Sequence, residues 1–162
     1  MKKAGLAIAT AIVALGLASQ TASAGTASGG NALALASLTA DNSSIVNNRD
    51  KRALRRLFNG RNVRSPAGQK ISVQADSIIC KASNVDITSR SCELVFGQEK
   101  ASLSGRKAHE LYATLLEAGI APDGAAGSMF AGLSNLACDI DPNVIQQKAG
   151  GGADCKFDPP KP

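Results

Sequence analysis

The stretch ISVQADSIICKASNVDITSRSCELVFGQEKASLSGRKAHELYATLLEAG, residues 71–119, decides the fold. Ile71, Val73 and Ala75 alternate with Ser72, Gln74 and Asp76, and a period of two marks a strand with one face in a core. Ile78, Ile79 and Cys80 then make a denser patch, so the alternation slips by one residue near Asp76-Ser77, as a β-bulge would make it. After the polar loop from Ser83 to Ser91, Cys92, Leu94 and Phe96 face one way while Glu93 and Val95 face the other. Gly97-Gln98 fits a two-residue hairpin turn, and Glu99 to Leu103 returns as the next strand. Ser104 is placed to cap a helix from Gly105 to Ala118, with Gly119 at the exit and Pro122 just beyond. Ala108, Leu111, Tyr112, Leu115 and Ala118 fall on one stripe of that helix.

Downstream, Pro122 to Gly132 is small and Gly-rich, a loop or a short helix carrying Met129, Phe130 and Leu133. Leu136, Cys138 and Ile140 read as a fourth strand, and Ala153, Cys155 and Phe157 as a fifth beyond Gly150-Gly151-Gly152. The expected order is therefore β-β-β-α-β-β. That is an α+β domain over residues 69–158, with one main helix on a small antiparallel sheet and a short tail at 159–162.

Upstream, Lys2-Lys3, the apolar run Ala4 to Ala18 and Ala22-Ser23-Ala24 have the three parts of a secretory signal peptide over residues 1–24. Residues 25–48, rich in Ala, Ser, Thr, Gly and Asn without a sustained period, read as a mobile tail, with a weak apolar patch at Leu33, Leu35 and Leu38 where Ala and Leu suit a transient helix. Residues 49–68 read as a basic amphipathic helix and linker. Asp50 is the expected cap, Ala53, Leu54, Leu57 and Phe58 the apolar stripe, Lys51, Arg52, Arg55 and Arg56 the opposite face, and Asn59-Gly60 the stop.

Of 162 residues, 18 are basic and 13 acidic. Without Lys2 and Lys3, 16 basic residues face the 13 acidic ones, a net charge of +3. The excess is uneven. Arg49, Lys51, Arg52, Arg55, Arg56, Arg61 and Arg64 lie in one segment whose one acid is Asp50, so that segment carries +6 and the rest −3. There is no Trp, and five aromatic residues build little core, the setting in which exported proteins use disulfides.

Four cysteines allow three pairings. Cys80 with Cys92, and Cys138 with Cys155, would each tie the two strands of one hairpin, at about 3 kcal/mol apiece. No C-x-x-C occurs, which argues against redox or zinc roles. His109 is the one histidine, and Ala113 stands where a second zinc-binding histidine would be needed. No nucleophile-elbow pattern is present. The sequence therefore predicts no enzyme, no cofactor and no metal. Asp139, Asp141, Asp154 and Asp158 match no calcium loop and read as an acidic edge that discourages strand pairing.

Two candidate surfaces remain. Lys51, Arg52, Arg55 and Arg56 form a cationic face that meets the protein's own acidic edge, an acidic partner protein or an anionic membrane surface; nucleic acid is not expected of an exported chain. Ser104, Arg106 and Lys107 at a helix start suit a small anion. The expected function is an exported, non-catalytic binding module, periplasmic or extracellular. An inhibitor of, or accessory to, another exported protein is one form, with the loops Ser83 to Ser91 and Pro142 to Gly152 as edges; the alternative is a small-anion carrier.

Overall fold

The computed structural model describes residues 24–82, 89–124, 129–147 and 151–161. Its elements are β1 (Gly25–Ser28), α1 (Gly29–Asp41), α2 (Asn48–Phe58), β2 (Ile71–Ala82), β3 (Ser91–Phe96), β4 (Glu99–Ser104), α3 (Gly105–Glu117), β5 (Met129–Ile140), α4 (Pro142–Gln147) and β6 (Ala153–Asp158). The expected leader falls outside the described residues up to position 23, as do parts of the two candidate loops at 83–88 and 148–150.

Alternation sorts the strands' side chains onto two faces. Val73, Ile78, Leu94, Leu133, Leu136 and Ile140 are buried beneath α1 and α3. Ser72, Gln74, Glu93, Asp139 and Lys156 are exposed on the other face. The six strands make one antiparallel sheet in the order β1-β6-β5-β2-β3-β4, so the fold is α+β. The expected slip in β2 is present: Ile71, Val73 and Ala75 are buried, then Ile78, Cys80 and Ala82. β5 slips at the same level, with Leu133 and Leu136 both buried and Asn135 at φ 49° between them. Because both strands slip together, their ladder keeps one register from Ile71↔Ile140 to Ala82↔Met129.

Cys80 is the register partner of Cys92, and Cys138 of Cys155; both pairs are disulfides on the covered face. Each bridge lies under a helix at an alanine. Cys92 Sγ is 3.4 Å from the carbonyl oxygen of Ala108 in α3, and Cys155 Sγ is 3.5 Å from that of Ala32 in α1. Alanine permits this approach, since a larger side chain would hold the helix off the sulfur.

Residues 25–48 are not a tail. Gly25–Ser28 pairs with β6, and Ala32, Leu35, Ala36 and Ala40 of α1 are fully buried. The lack of period that suggested disorder has another cause. The sheet covers one side of α1 and α2 covers another, and a helix buried on several sides is apolar all round. The folded domain therefore takes in Gly25 onward rather than beginning at 69, and the described residues hold six strands rather than five. Asn47, not Asp50, caps α2. Pro142–Gln147 is a helix rather than loop, capped by Asp141 Oδ1, which accepts from Asn143 N at 3.0 Å. That helix holds the 61–66 linker, since Asn143 Nδ2 donates to Pro66 O at 3.3 Å and Gln146 Nε2 donates to Val63 O.

With α2 and the short α4 set aside as insertions, the chain passes through the sequence β-α-β-β twice: β1-α1-β2-β3, then β4-α3-β5-β6. The copies agree in detail. Both helices have 13 residues and both long strands 12. Ser28 (φ −138°, ψ 165°) leads into Gly29 (φ 62°) as Ser104 (φ −140°, ψ 165°) leads into Gly105 (φ 61°). Ala27 sits opposite Cys155 as Leu103 sits opposite Cys92. A pseudo-twofold axis normal to the sheet, passing between the two slips, relates the halves. Each half's first strand and helix lie on the other half's disulfide-bonded hairpin.

Two outcomes test this account of the core. Leu35→Ala should lower the unfolding free energy in urea by about 3 kcal/mol, whereas a residue in a tail would change it by less than about 0.5 kcal/mol. Replacing either cysteine pair by alanine should cost about 3 kcal/mol, nearly the same for both, because separations of 12 and 17 residues differ little in loop entropy.

Candidate binding surface

α2 is locally well specified at both ends. Asn47 Oδ1 accepts from Asp50 N at 2.9 Å, and Asn47 Nδ2 donates to Asp50 Oδ2 at 3.0 Å. At the other end Gly60 (φ 71°) donates to Leu57 O at 3.0 Å, and Arg61 N donates to Arg56 O at 2.8 Å. That pattern closes a helix on a left-handed glycine. Asp50 in the first turn and Arg55 and Arg56 in the last also suit the helix dipole.

Docking is by apolar burial. Leu54 is fully buried and Leu57 nearly so against α1, while Phe58 is 51% exposed. Charge complementarity to the acidic hairpin is not what holds α2. Asp139 accepts from Ser72 Oγ at 3.1 Å, Asp158 from Asn135 Nδ2 at 2.9 Å, and Asp141 caps α4. The ion pair of α2 runs to Asp41 at the end of α1, from Arg55 Nε at 2.7 Å. Its arginine is more than half exposed, so the pair adds at most about 1 kcal/mol. Arg49, Arg52 and Arg56 are exposed and Lys51 half-buried; among the described residues none of the four has an ion pair.

The structure brings together Arg55 and Lys107, one from each candidate surface. They face across a groove of about 280 Å³ between Leu38 and Asp41 on one side and Leu103 and Glu110 on the other. Arg106 Nε donates to Glu110 Oε1 at 3.1 Å. Ser104 makes no side-chain cap bond, and the N–H of Gly105 donates to Arg90 O at 3.3 Å. Arg106 and one first-turn amide, which the small-anion expectation relies on, are thus already engaged.

Arg90 reaches α3 from just before β3. Its guanidinium lies 4.7 Å from the centre of the Tyr112 ring and donates to His109 Nδ1, so the lone histidine faces a cation. No local pattern announces this contact, because Arg90 precedes β3 while His109 and Tyr112 lie on α3. Two disulfides with no free cysteine are the covalent pattern of an oxidising compartment. Among the described residues no helix is long and apolar enough to cross a membrane, and no group of three or more metal-ligating side chains occurs.

The two faces of α2 should separate by mutation. Arg52→Ala with Arg56→Ala should leave the urea midpoint unchanged, whereas Leu54→Ala should lower stability by about 3 kcal/mol.

Comparison with known proteins returns no family model, no curated protein and no solved structure that matches the chain.

Proposed function

We propose that the protein is an exported, non-catalytic binding module that docks an acidic surface of another exported protein, as its inhibitor or accessory, through the cations of α2. One observation carries this reading: α2 buries its leucines on α1 and holds Arg49, Arg52 and Arg56 outward without an ion pair among the described residues. The helix is also an addition to the repeated scaffold. The second β-α-β-β copy joins its helix to its long strand through 118–128, whereas the first takes 42–70 and places α2 there. The scaffold uses the leucines of α2 to cover α1 and makes no ion pair with its outward arginines Arg49, Arg52 and Arg56 among the described residues, so their charge is free to serve recognition.

The same burial counts against the membrane reading. An interfacial helix needs an apolar face to insert, and Leu54 and Leu57 are already used. The apolar run and small residues at 1–24 and the two disulfides support export to a periplasm or the cell exterior. The engagement of Arg106 by Glu110 favours a macromolecular partner over a small anion.

The test is affinity capture from the host's exported fraction with the full mature chain and with Arg52→Glu/Arg56→Glu. The reading expects a stoichiometric acidic protein on the native chain, released by raised salt, whose affinity falls at least about tenfold with the reversed charges. A protein held equally by both baits would move the interface off α2. Retention on anionic vesicles alone would replace the protein partner with a lipid surface.

A further inference from the structure

We infer that the chain is a tandem duplication of one β-α-β-β unit, and that the surface between its halves is a subunit interface in fused form, the partner that each half fits being a second copy of the same unit. The inference rests on matching positions rather than on similar outline. Ser28-Gly29 and Ser104-Gly105 open the two helices with backbone angles within a few degrees of each other. Four residues after each serine stands the alanine that lies on a disulfide, Ala32 or Ala108, and three further on stands a fully buried leucine, Leu35 or Leu111. The pattern S-G-x-x-A-x-x-L thus occurs twice, 76 residues apart.

The hairpins match as well. Cys80 and Cys138 occupy the same place in the two long strands, each four residues or fewer beyond the slip at Asp76-Ser77 or Ser134-Asn135. The pairs β3–β4 and β6–β1 repeat one register, with Glu93↔Ser102 matching Lys156↔Thr26 and Leu94↔Ala101 matching Phe157↔Gly25. In the second pair the ring of Phe157 lies over Gly25, where a Cβ would come within 2.5 Å of it.

The interface has the form of a two-fold dimer. The β2–β5 ladder crosses the axis, α1 lies on β6 and α3 on β3, and the helices meet above the centre. Both disulfides are internal to one half, Cys80–Cys92 in the first and Cys138–Cys155 in the second. Between the halves the covalent connection is the Gly97-Gln98 turn joining β3 to β4. Noncovalent packing across the axis therefore holds the two halves in register, as it would hold two chains.

The twofold makes a demand that a fold without duplication does not. The end of β6 and the start of β1 must be related as Phe96 and Glu99 are, so a Gly-Gln turn should join them equally well. A permuted chain that begins at Gln98, runs to Pro159, passes through a Gly-Gln turn to Ser23 and ends at Gly97 tests this. A second permutant carries the same new junction and is opened between Ala67 and Gly68. Expected are monomers with Cys80–Cys92 and Cys138–Cys155 by mass mapping, the parent's far-UV spectrum, and melting within about 5 °C of the parent. If the second folds and the first does not, the failure belongs to opening at Gly97 and the inference stands. Mispaired cysteines, aggregation, or melting lowered by much more than this in both permutants overturns it.

Discussion

The β2–β5 ladder is the constraint on which the other contacts depend. It runs through the middle of the sheet and pairs Val73 with Cys138, Ile78 with Leu133 and Cys80 with Ala131, all on the face that the helices cover. One residue of slip moves a strand's whole side-chain set to the opposite face. Had β2 alone carried the extra residue at Asp76-Ser77, half of its apolar set would face solvent beyond that point. The matching slip at Ser134-Asn135 removes the conflict, and Asn135 takes the left-handed conformation this requires, which asparagine tolerates better than most residues. The register shift between β5 and β6 falls at the same place, so the irregularity is taken up by the shorter neighbour.

From that ladder the layers follow in order. The disulfides fix β3 against β2 and β6 against β5, presenting a flat sulfur and small-residue surface on which Ala32 and Ala108 bring α1 and α3 close. α1 has no charged side chain until Asp41, and Leu33, Leu35 and its alanines are buried along most of its length, so it must be covered again, and α2 does this with Leu54 and Leu57. α3 carries Arg106, Lys107, His109 and Glu110 on its outer side, all exposed, and needs no cover. The difference between the two helices explains why the first half carries α2 between its helix and its long strand.

Legibility in the sequence follows the same division. The stretch from Ile71 to Gly119 is encoded locally, by strand period, a glycine turn, a Ser-Gly junction and a one-sided helix, and the structure has each of these elements. The bridge pairing follows from the hairpins. β1 was illegible because Ala27 is its one buried side chain, and four residues of Gly, Thr, Ala and Ser carry no pattern. α1 shows in the sequence only as the weak patch from Leu33 to Leu38, a transient helix at most, because burial on several sides erases the period that marks a surface helix. With α1 taken for a tail, α2 had no apolar surface to dock on, and charge pointed it to the acidic hairpin instead. The start of β5 was hidden by Gly132 and the slip at Asn135. The cations of the candidate site are plain in composition; their separation from α2's apolar anchors is not, since it depends on α1, a helix that the sequence does not mark. The repeat was present as S-G-x-x-A-x-x-L, but one copy sits in the segment that looked unstructured.

What the scaffold does to those cations bears on the proposed docking. A free basic helix of 11 residues is unstable in water, and ordering it on a partner would consume much of the binding free energy. Capped by Asn47, closed at Gly60 and anchored by two leucines, α2 presents its arginines already folded, so the cost that remains is in the long side chains alone. Charges held at the rim of a rigid body chiefly raise the rate of encounter and select partners of opposite sign. Such a surface needs a second contribution to hold what it steers. Phe58, half-exposed at the end of α2, and the groove that Arg55 and Lys107 share with Leu38, Leu103 and Leu111 are the apolar surfaces from which the proposed docking would draw it.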